Sequence, residues 1–505
     1  MRKSIAVLGS AALVASLSFT ALPTANAAPT CTTAAGIETC TGTLANGAGY
    51  VFKMPANFKG TMFFWEHGFR PTYPGVSAVP KGVEEITPGN QITNKDITKE
   101  MMLAGYGVAA YDGTVKGLRG WNNTFRVEML KEVIDTALAK YPRIKKKVVY
   151  GSSQAGSIIT PFVEKYPTYA DSVGIMAGTT PSIANSIQSA CDIMYILSVF
   201  ADPTIKGCAA FGVKGVPGHQ ASVAELLKVV ALLRGWEKNL GAPGLEYPAA
   251  LKGSPIPQRS ALLLTGLLTG VPTKSTHMDA VSTSAVIPEG SINATVAILQ
   301  NLGEAVATGV LAGQSISEIT GPGFYDNTKT DWASLLDEGD AGRYNLGLSG
   351  DEAITAMLGV LAASPRVTGN ADAIAKFKAL DKSTFTSTIP TITLSNEADR
   401  LVLSGNQVHY VNKAKAVYEA RLAAWEKRLA AATDQPEITF LLKNKPVWNT
   451  VSMYALTPDT YTKFTATGAP DLTAPVAISG VGHESFTKEQ LMTWVRVLAS
   501  SAKTG

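Results

Sequence analysis

Between residues 60 and 180 the apolar positions alternate between two spacings. Short runs rich in β-branched and aromatic residues stand at 61–65 (TMFFW), 106–111 (YGVAAY), 147–150 (KVVY) and 172–176 (SVGIM). Each reads as a buried strand. Between them, 124–141 and 157–165 place apolar residues three and four apart, the spacing of a helix with one buried face. From 181 to 388 this rhythm stops. Longer apolar runs at 226–233, 260–268, 296–311 and 353–361, separated by Gly/Pro/Thr-rich joints, read as helices. The alternation returns at 391–394 (TITL, strand), 411–431 (long amphipathic helix), 476–478 (VAI, a last short strand) and 486–502 (closing helix).

Strands alternating with helices predict an α/β fold with a mostly parallel, doubly wound sheet. The interruption predicts a large helical insertion. The expected organisation is a leader at 1–27, a first part of the core at 28–180, the insertion at 181–388 and the rest of the core at 389–505. Apolar helix faces in the insertion mostly bury against one another. Among them 262–268, 296–299 and 310–311 are candidates to line an apolar cleft.

Of the 505 residues, 46% are apolar or aromatic and 17% are charged, ample for a large core and unlike a disordered chain. Without Arg2 and Lys3 the balance is 42 basic to 40 acidic residues, which gives no electrostatic case for nucleic acid or an anionic membrane. Arg2-Lys3, an apolar run from Ile5 to Leu22 and Ala25-Asn26-Ala27 have the layout of a cleavable secretory signal. No later stretch reaches the roughly 18–20 uninterrupted apolar residues of a membrane span, so a released, extracellular protein without a stable membrane anchor is expected. Four cysteines follow the leader. An even number in an oxidising compartment suggests two disulfides. Three pairings are open, of which the local Cys31–Cys40 with Cys191–Cys208 is favoured. The pairs lack C-x-x-C spacing and no histidine cluster accompanies them, so neither metal nor cofactor is expected.

The candidate chemistry begins at 148–156 (VVYGSSQAG), an apolar strand running into a small-residue turn and then a helix. A serine on so tight a turn projects its hydroxyl above the sheet edge, and small residues two before and two after it avoid clashes. Gly151 and Ala155 hold those places, which selects Ser153 rather than Ser152. A hydroxyl needs a base. Of His67, His219, His277, His409 and His483, only His483 lies in a glycine-rich loop (480–486, GVGHESF) just before the last helix. A carboxylate must orient the imidazole. Asp399, following the 391–394 strand, is chosen over its neighbour Glu397. His67-Gly68-Phe69 follows the 61–65 strand, where backbone N–H groups of Gly68 and Phe69, with that of Gln154, can form an oxyanion hole. Each such donor is worth about 3 kcal/mol in the transition state. His67 itself reads as structural.

The order of H-G turn, Ser153, Asp399 and His483, each after a strand, resembles the α/β-hydrolase superfamily over roughly 45–180 and 389–505. The resemblance implies a sheet of about eight strands with those three side chains at its carboxyl edge. It also implies that 181–388 is a lid or cap. Two features depart from the pattern. The 83 residues between Asp399 and His483 exceed what a minimal fold needs. Tannase-like and feruloyl-esterase-like members carry cysteines beside the serine and the histidine, where Ser152 and Glu484 stand here. The expected function is hydrolysis of a small-molecule or polymeric carboxylic ester through an acyl-enzyme. A serine peptidase or amidase on the same scaffold is the alternative, and a non-catalytic binding protein the third reading. Sequence leaves the oligomeric state open.

Overall fold

Strand formation follows the runs read above, and a terminal hairpin precedes them. A computed structural model describes residues 28–70, 82–88, 96–113, 120–180, 183–238, 257–284, 290–381, 383–474 and 479–502. The expected leader at 1–27 and the strand expected at 476–478 lie outside the described residues. Thr30–Ala34 (β1) and Ile37–Thr43 (β2) pair antiparallel around Ala35-Gly36, both with left-handed φ. Cys31 and Cys40 stand directly opposite one another and are disulfide-bonded. Gly49–Pro55 (β3), Thr61–Glu66 (β4), Thr98–Ala104 (α1), Gly107–Tyr111 (β5), Asn123–Lys140 (α2), Lys146–Ser152 (β6), Gly156–Lys165 (α3) and Ser172–Met176 (β7) follow.

Seven helices then intervene among the described residues: Ile183–Phe200 (α4), Gly215–Lys238 (α5), Gln258–Thr269 (α6), Gly290–Thr320 (α7), Glu338–Arg343 (α8), Asp351–Ala363 (α9) and Ala371–Lys378 (α10). The chain returns to the sheet at Thr391–Asn396 (β8), continues through Gly405–Ala431 (α11) and Gln435–Lys443 (α12) to Thr450–Ala455 (β9), and closes with Lys488–Ser501 (α13).

The nine strands form one sheet in the order β1-β2-β3-β5-β4-β6-β7-β8-β9. Strands β5, β4, β6, β7, β8 and β9 are parallel, while β1, β2 and β3 join antiparallel. The fold is thus α/β. Among the described residues it has nine strands, two of which belong to the disulfide-closed hairpin ahead of residue 45.

Period-two alternation sorts the side chains to the two faces of the sheet. Met62 and Phe64 join Leu130, Ile134 and Ile158 beneath α2 and α3. Phe63 and Trp65 join Tyr150, Met101 and Trp494 on the face covered by α1 and α13. The helices between β7 and β8 own a separate core, in which Leu262, Leu263, Leu264, Ile298 and Val310 are buried. There α4 is pinned by the Cys191–Cys208 disulfide. Helices α4 and α7 are by length and composition apolar enough to cross a membrane, but most of each is buried inside this core.

Because β4, β6 and β8 run parallel, the residues following them, His67-Gly68, Ser153 and Asp399, emerge at one edge of the sheet.

Candidate functional site

At the end of β6 the chain turns sharply into α3, and the turn is held by what surrounds it. A side chain at Gly151 would place its first carbon 2.3 Å from Glu66 O and 2.6 Å from Ala155 Cβ, so only glycine fits there. Ser153 has φ +55°, a left-handed conformation that a non-glycine residue adopts only when its surroundings impose it. Thr179 N–H donates to Ser153 O at 3.0 Å, which fixes the corner from β7. Ser152, the last residue of β6, is fully buried, whereas Ser153 is partly exposed and lines a cleft.

Asp399 is fully buried. Its Oδ1 accepts from the N–H groups of Leu401 and Val402 at 2.9 and 3.0 Å. Its Oδ2 lies 2.9 Å from His483 Nδ1. The two segments are also joined through the backbone, since Ala398 N–H donates to Gly480 O and Gly482 N–H donates to Ala398 O. Sequence spacing left Glu397 as a competitor. It is engaged elsewhere, with Lys274 Nζ at 2.6 Å and Thr457 N–H at 2.8 Å. Burial would raise its pKa, but these partners hold it below the usual carboxylate value.

The other imidazole nitrogen, Nε2, faces Glu484 Oε1 at 3.3 Å. No hydrogen bond joins the Ser153 hydroxyl to His483 among the described residues. Burial opposes a charge on the imidazole, yet Asp399 and then Glu484 raise its pKa well above that of an ordinary histidine. Glu484 was read from sequence only as a departure from a family pattern. Its carboxylate touches the base and faces the residue beside Ser153.

The H-G turn after β4 is close to Ser153, with a carbon built on Gly68 falling 3.2 Å from Ser153 Cβ. Phe69 and Ser153 line the same cleft. His67 is buried, and Gly113 N–H donates to its Nε2 at 3.0 Å, so the proton sits on Nδ1 and is donated to Gly68 O at 2.7 Å. Burial, then Arg126 and Arg70, push its pKa well below the ordinary value and keep it neutral, in line with a structural part.

Beneath the turn lies a cation that sequence reading passed over. Arg126 on α2 is ion-paired with Glu66, donates Nη2–H to His67 O at 2.7 Å and Nη1–H to Gln154 Oε1 at 3.0 Å. Gln154 Nε2 donates in turn to Gly120 O at 2.9 Å and Asn123 Oδ1 at 2.8 Å. One guanidinium therefore ties together the two segments expected to supply the oxyanion donors. A signal was available, because Arg126 occupies the first place of the buried helical stripe continued by Leu130, Val133 and Ala137.

A cleft of about 570 Å³ of empty space, part of it open to solvent, separates this sheet edge from the helical insertion. Phe69, Trp121, Ser153 and Thr179 line one side. One face of α4 (Ile183, Ile187, Ala190, Ile193) and one face of α7 (Ala305, Thr308, Gly309, Ala312) line the other, with Val271 and residues 401–403 between them. The runs at 262–268, 296–299 and 310–311 do not line it. Their apolar side chains pack mostly within the insertion, and the lining face of α7 is offset from the residues expected.

No family model matches the chain, and no curated protein matches it. Among solved structures it is similar to the rice cell wall degrading esterase LipA from Xanthomonas oryzae, at 9% identity, covering 92% of this chain and 90% of that one with a TM-score of 0.35. Feruloyl esterase B from Aspergillus oryzae is matched at 12% identity over 88% and 74% of the two chains, with a TM-score of 0.31. Cfl2 from Burkholderia cenocepacia is matched at 11% identity over 94% and 100%, with a TM-score of 0.32. Likenesses of this strength carry no weight in the reading that follows, which rests on the site.

Proposed function

We propose that this chain is a secreted serine hydrolase of the α/β-hydrolase type that cleaves carboxylic esters. Ser153 is the nucleophile, His483 the base and Asp399 the residue that orients it. The observation that carries the reading is the strained Ser153 turn at the same sheet edge as His483 paired with the buried Asp399. Strain of this kind is kept where a hydroxyl has to be presented, and a buried carboxylate on Nδ1 leaves Nε2 as the proton-accepting nitrogen.

In this mechanism Ser153 Oγ attacks the ester carbonyl while its proton passes to His483 Nε2. The oxyanion is held by backbone N–H groups of Gly68, Phe69 and Gln154. Collapse expels the alcohol, which takes the proton from His483, and leaves an acyl group on Ser153. Water, deprotonated by the same imidazole, then releases the acid. The helical insertion at 181–388 serves as a lid over the cleft, whose apolar lining suits an apolar acyl or alcohol group. The leader at 1–27 directs export, consistent with two disulfides in the folded chain.

Labelling of the mature protein with a fluorophosphonate tests the assignment. One serine is expected to label, and Ser153→Ala is expected to abolish both labelling and hydrolysis of p-nitrophenyl esters. Labelling retained in Ser153→Ala refutes the nucleophile. Faster turnover of aminoacyl or peptidyl amides than of esters refutes the substrate class.

A further inference from the structure

The imidazole of His483 lies between two carboxylates, Asp399 at 2.9 Å from Nδ1 and Glu484 at 3.3 Å from Nε2. The second occupies the nitrogen that has to receive the Ser153 proton. The Ser152 hydroxyl, which is fully buried, also acts on the Glu484 carboxylate but makes no well-formed hydrogen bond. A buried hydroxyl without a partner is unfavourable, so this one offers the carboxylate a second place to rest. Glu484 has φ +56° and follows Gly482 at φ +93°, so the histidine sits in a backbone bend that holds both neighbours close to it.

We propose that Glu484 is a positioning residue with two seats, one on His483 Nε2 and one on the Ser152 hydroxyl, and that it leaves the first when Ser153 engages the base. The proposal rests on the reading of Ser153 and His483 given above. With the carboxylate on Nε2, the imidazolium is held by negative charge on both nitrogens and the enzyme is at rest. When the carboxylate turns to Ser152, it accepts the Ser152 O–H and stays ionised. The Nε2 proton leaves to water, and neutral Nε2 faces the Ser153 hydroxyl. The other charged groups acting on this carboxylate are Arg70, which favours its ionised form, and Glu85, which opposes it. Arg70 and Glu85 are themselves ion-paired, so their net effect on the choice between seats is small. The exchange is therefore set by His483 and Ser152.

Two measurements test the proposal. The first is a histidine NMR titration of the full mature chain carrying Ser153→Ala, with the His483 resonance assigned by its loss in His483→Gln. Adding Glu484→Gln is expected to lower the imidazole pKa by on the order of one unit, the usual effect of removing one adjacent opposite charge. The second is the pH profile of kcat/KM in the active enzyme. The acidic limb reports the free base, so Glu484→Gln is expected to shift it down by the same amount. One pH unit below the wild-type midpoint the variant should then be about fivefold faster, a gain that loss of folding does not produce. Ser152→Ala, which removes the second seat, is expected to lower kcat several-fold with little change in KM, and to have no further effect in the Glu484→Gln background.

An acidic limb and an imidazole titration that Glu484→Gln leaves in place overturn the proposal, as does an equal Ser152→Ala loss in both backgrounds. If the titration moves but no ester is hydrolysed, the assigned function fails and the carboxylate pairing stands. If Ser153-dependent hydrolysis persists with an unmoved limb, only the pairing fails.

Discussion

At the scale of single residues, Arg126 does more for the site than its distance from the reacting atoms suggests. It is fully buried with Glu66, and its Nη1 and Nη2 groups donate to Gln154 and to the H-G turn. Removing one partner of a buried pair strands the other, which is typically worth about 3–5 kcal/mol. Arg126→Met is therefore expected to lower stability by about that amount in denaturant titrations near pH 7. The deficit should shrink in acid, because Glu66, already pushed up by burial, then takes a proton and needs no counter-charge. A deficit that stays constant between pH 7 and pH 4 refutes this account. The placement of Ser153 and Asp399 at one sheet edge was legible in the sequence because each follows a recognisable strand, and the pairing of Asp399 with His483 because few histidines lie in a loop after the core strands. Arg126, Glu66 and Glu484 were not, because their meaning lies in partners far away in the chain. Nothing in the order of residues says that 66 will meet 126, or that 484 will come to rest beside 152.

At the scale of elements, α4 shows how a helix can be apolar enough for a bilayer and yet belong to a folded core. Its stripe Ile183, Ile187, Ala190 and Ile193 faces the cleft, and its opposite side carries Asp192 into the interior. Asp192 accepts from Tyr325 O–H at 2.7 Å and from Gln188 Nε2 at 3.2 Å. Burial outweighs these bonds and Arg366, and raises its pKa from 3.8 to about 7. An acid whose folded pKa lies above its unfolded one opposes folding once it ionises. Its effect is absent below about pH 4, grows as pH rises and is complete above about pH 7. A tenfold change in proton affinity corresponds to about 1.4 kcal/mol, so the upper bound is about 4 kcal/mol at pH 8. Asp192→Asn keeps an acceptor for Tyr325. It is expected to match the wild type in melting temperature at pH 4 and to exceed it at pH 8. Equal melting temperatures at both pH values contradict the assignment.

Three of the strands that sequence reading missed, β1, β2 and β9, share a cause, whereas β3 was missed although it is mostly buried between β2 and β5. In β1 and β2 threonine-rich strands largely face solvent, and β9, at the sheet edge, exposes Val451 and Tyr454. Edge strands lack the continuous apolar run that marks a buried parallel strand. The central strands β4 to β8 were found within a residue or two for the opposite reason.

At the scale of the whole molecule, the cleft is a seam between the sheet and the inserted helices, bridged by Trp121 and Phe69, which pack into the helical core. The sheet side supplies Ser153, Phe69, Trp121 and Thr179, and the inserted helices supply the far wall through α4 and α7. These two helices approach closely where Gly309 meets Ala190, since a carbon built on Gly309 would lie 2.2 Å from Ala190 Cβ. Larger residues at that contact would push the wall apart. Thr308 beside it is only partly buried and lines the cleft, so a larger side chain there projects into the cleft rather than into the contact. Thr308→Phe is therefore expected to shorten the space available to the acyl group while the triad geometry is preserved. Excluding one methylene from an apolar site is worth about 0.8 kcal/mol, or roughly fourfold. The butyrate-to-acetate ratio of kcat/KM for p-nitrophenyl esters, which differ by two methylenes, should fall by up to about fifteenfold, with acetate hydrolysis itself little changed. Acetate acts as the internal control for folding. If both esters decline together, the helical wall does not measure the acyl chain. If neither changes, the substrate binds outside the seam between sheet and helices.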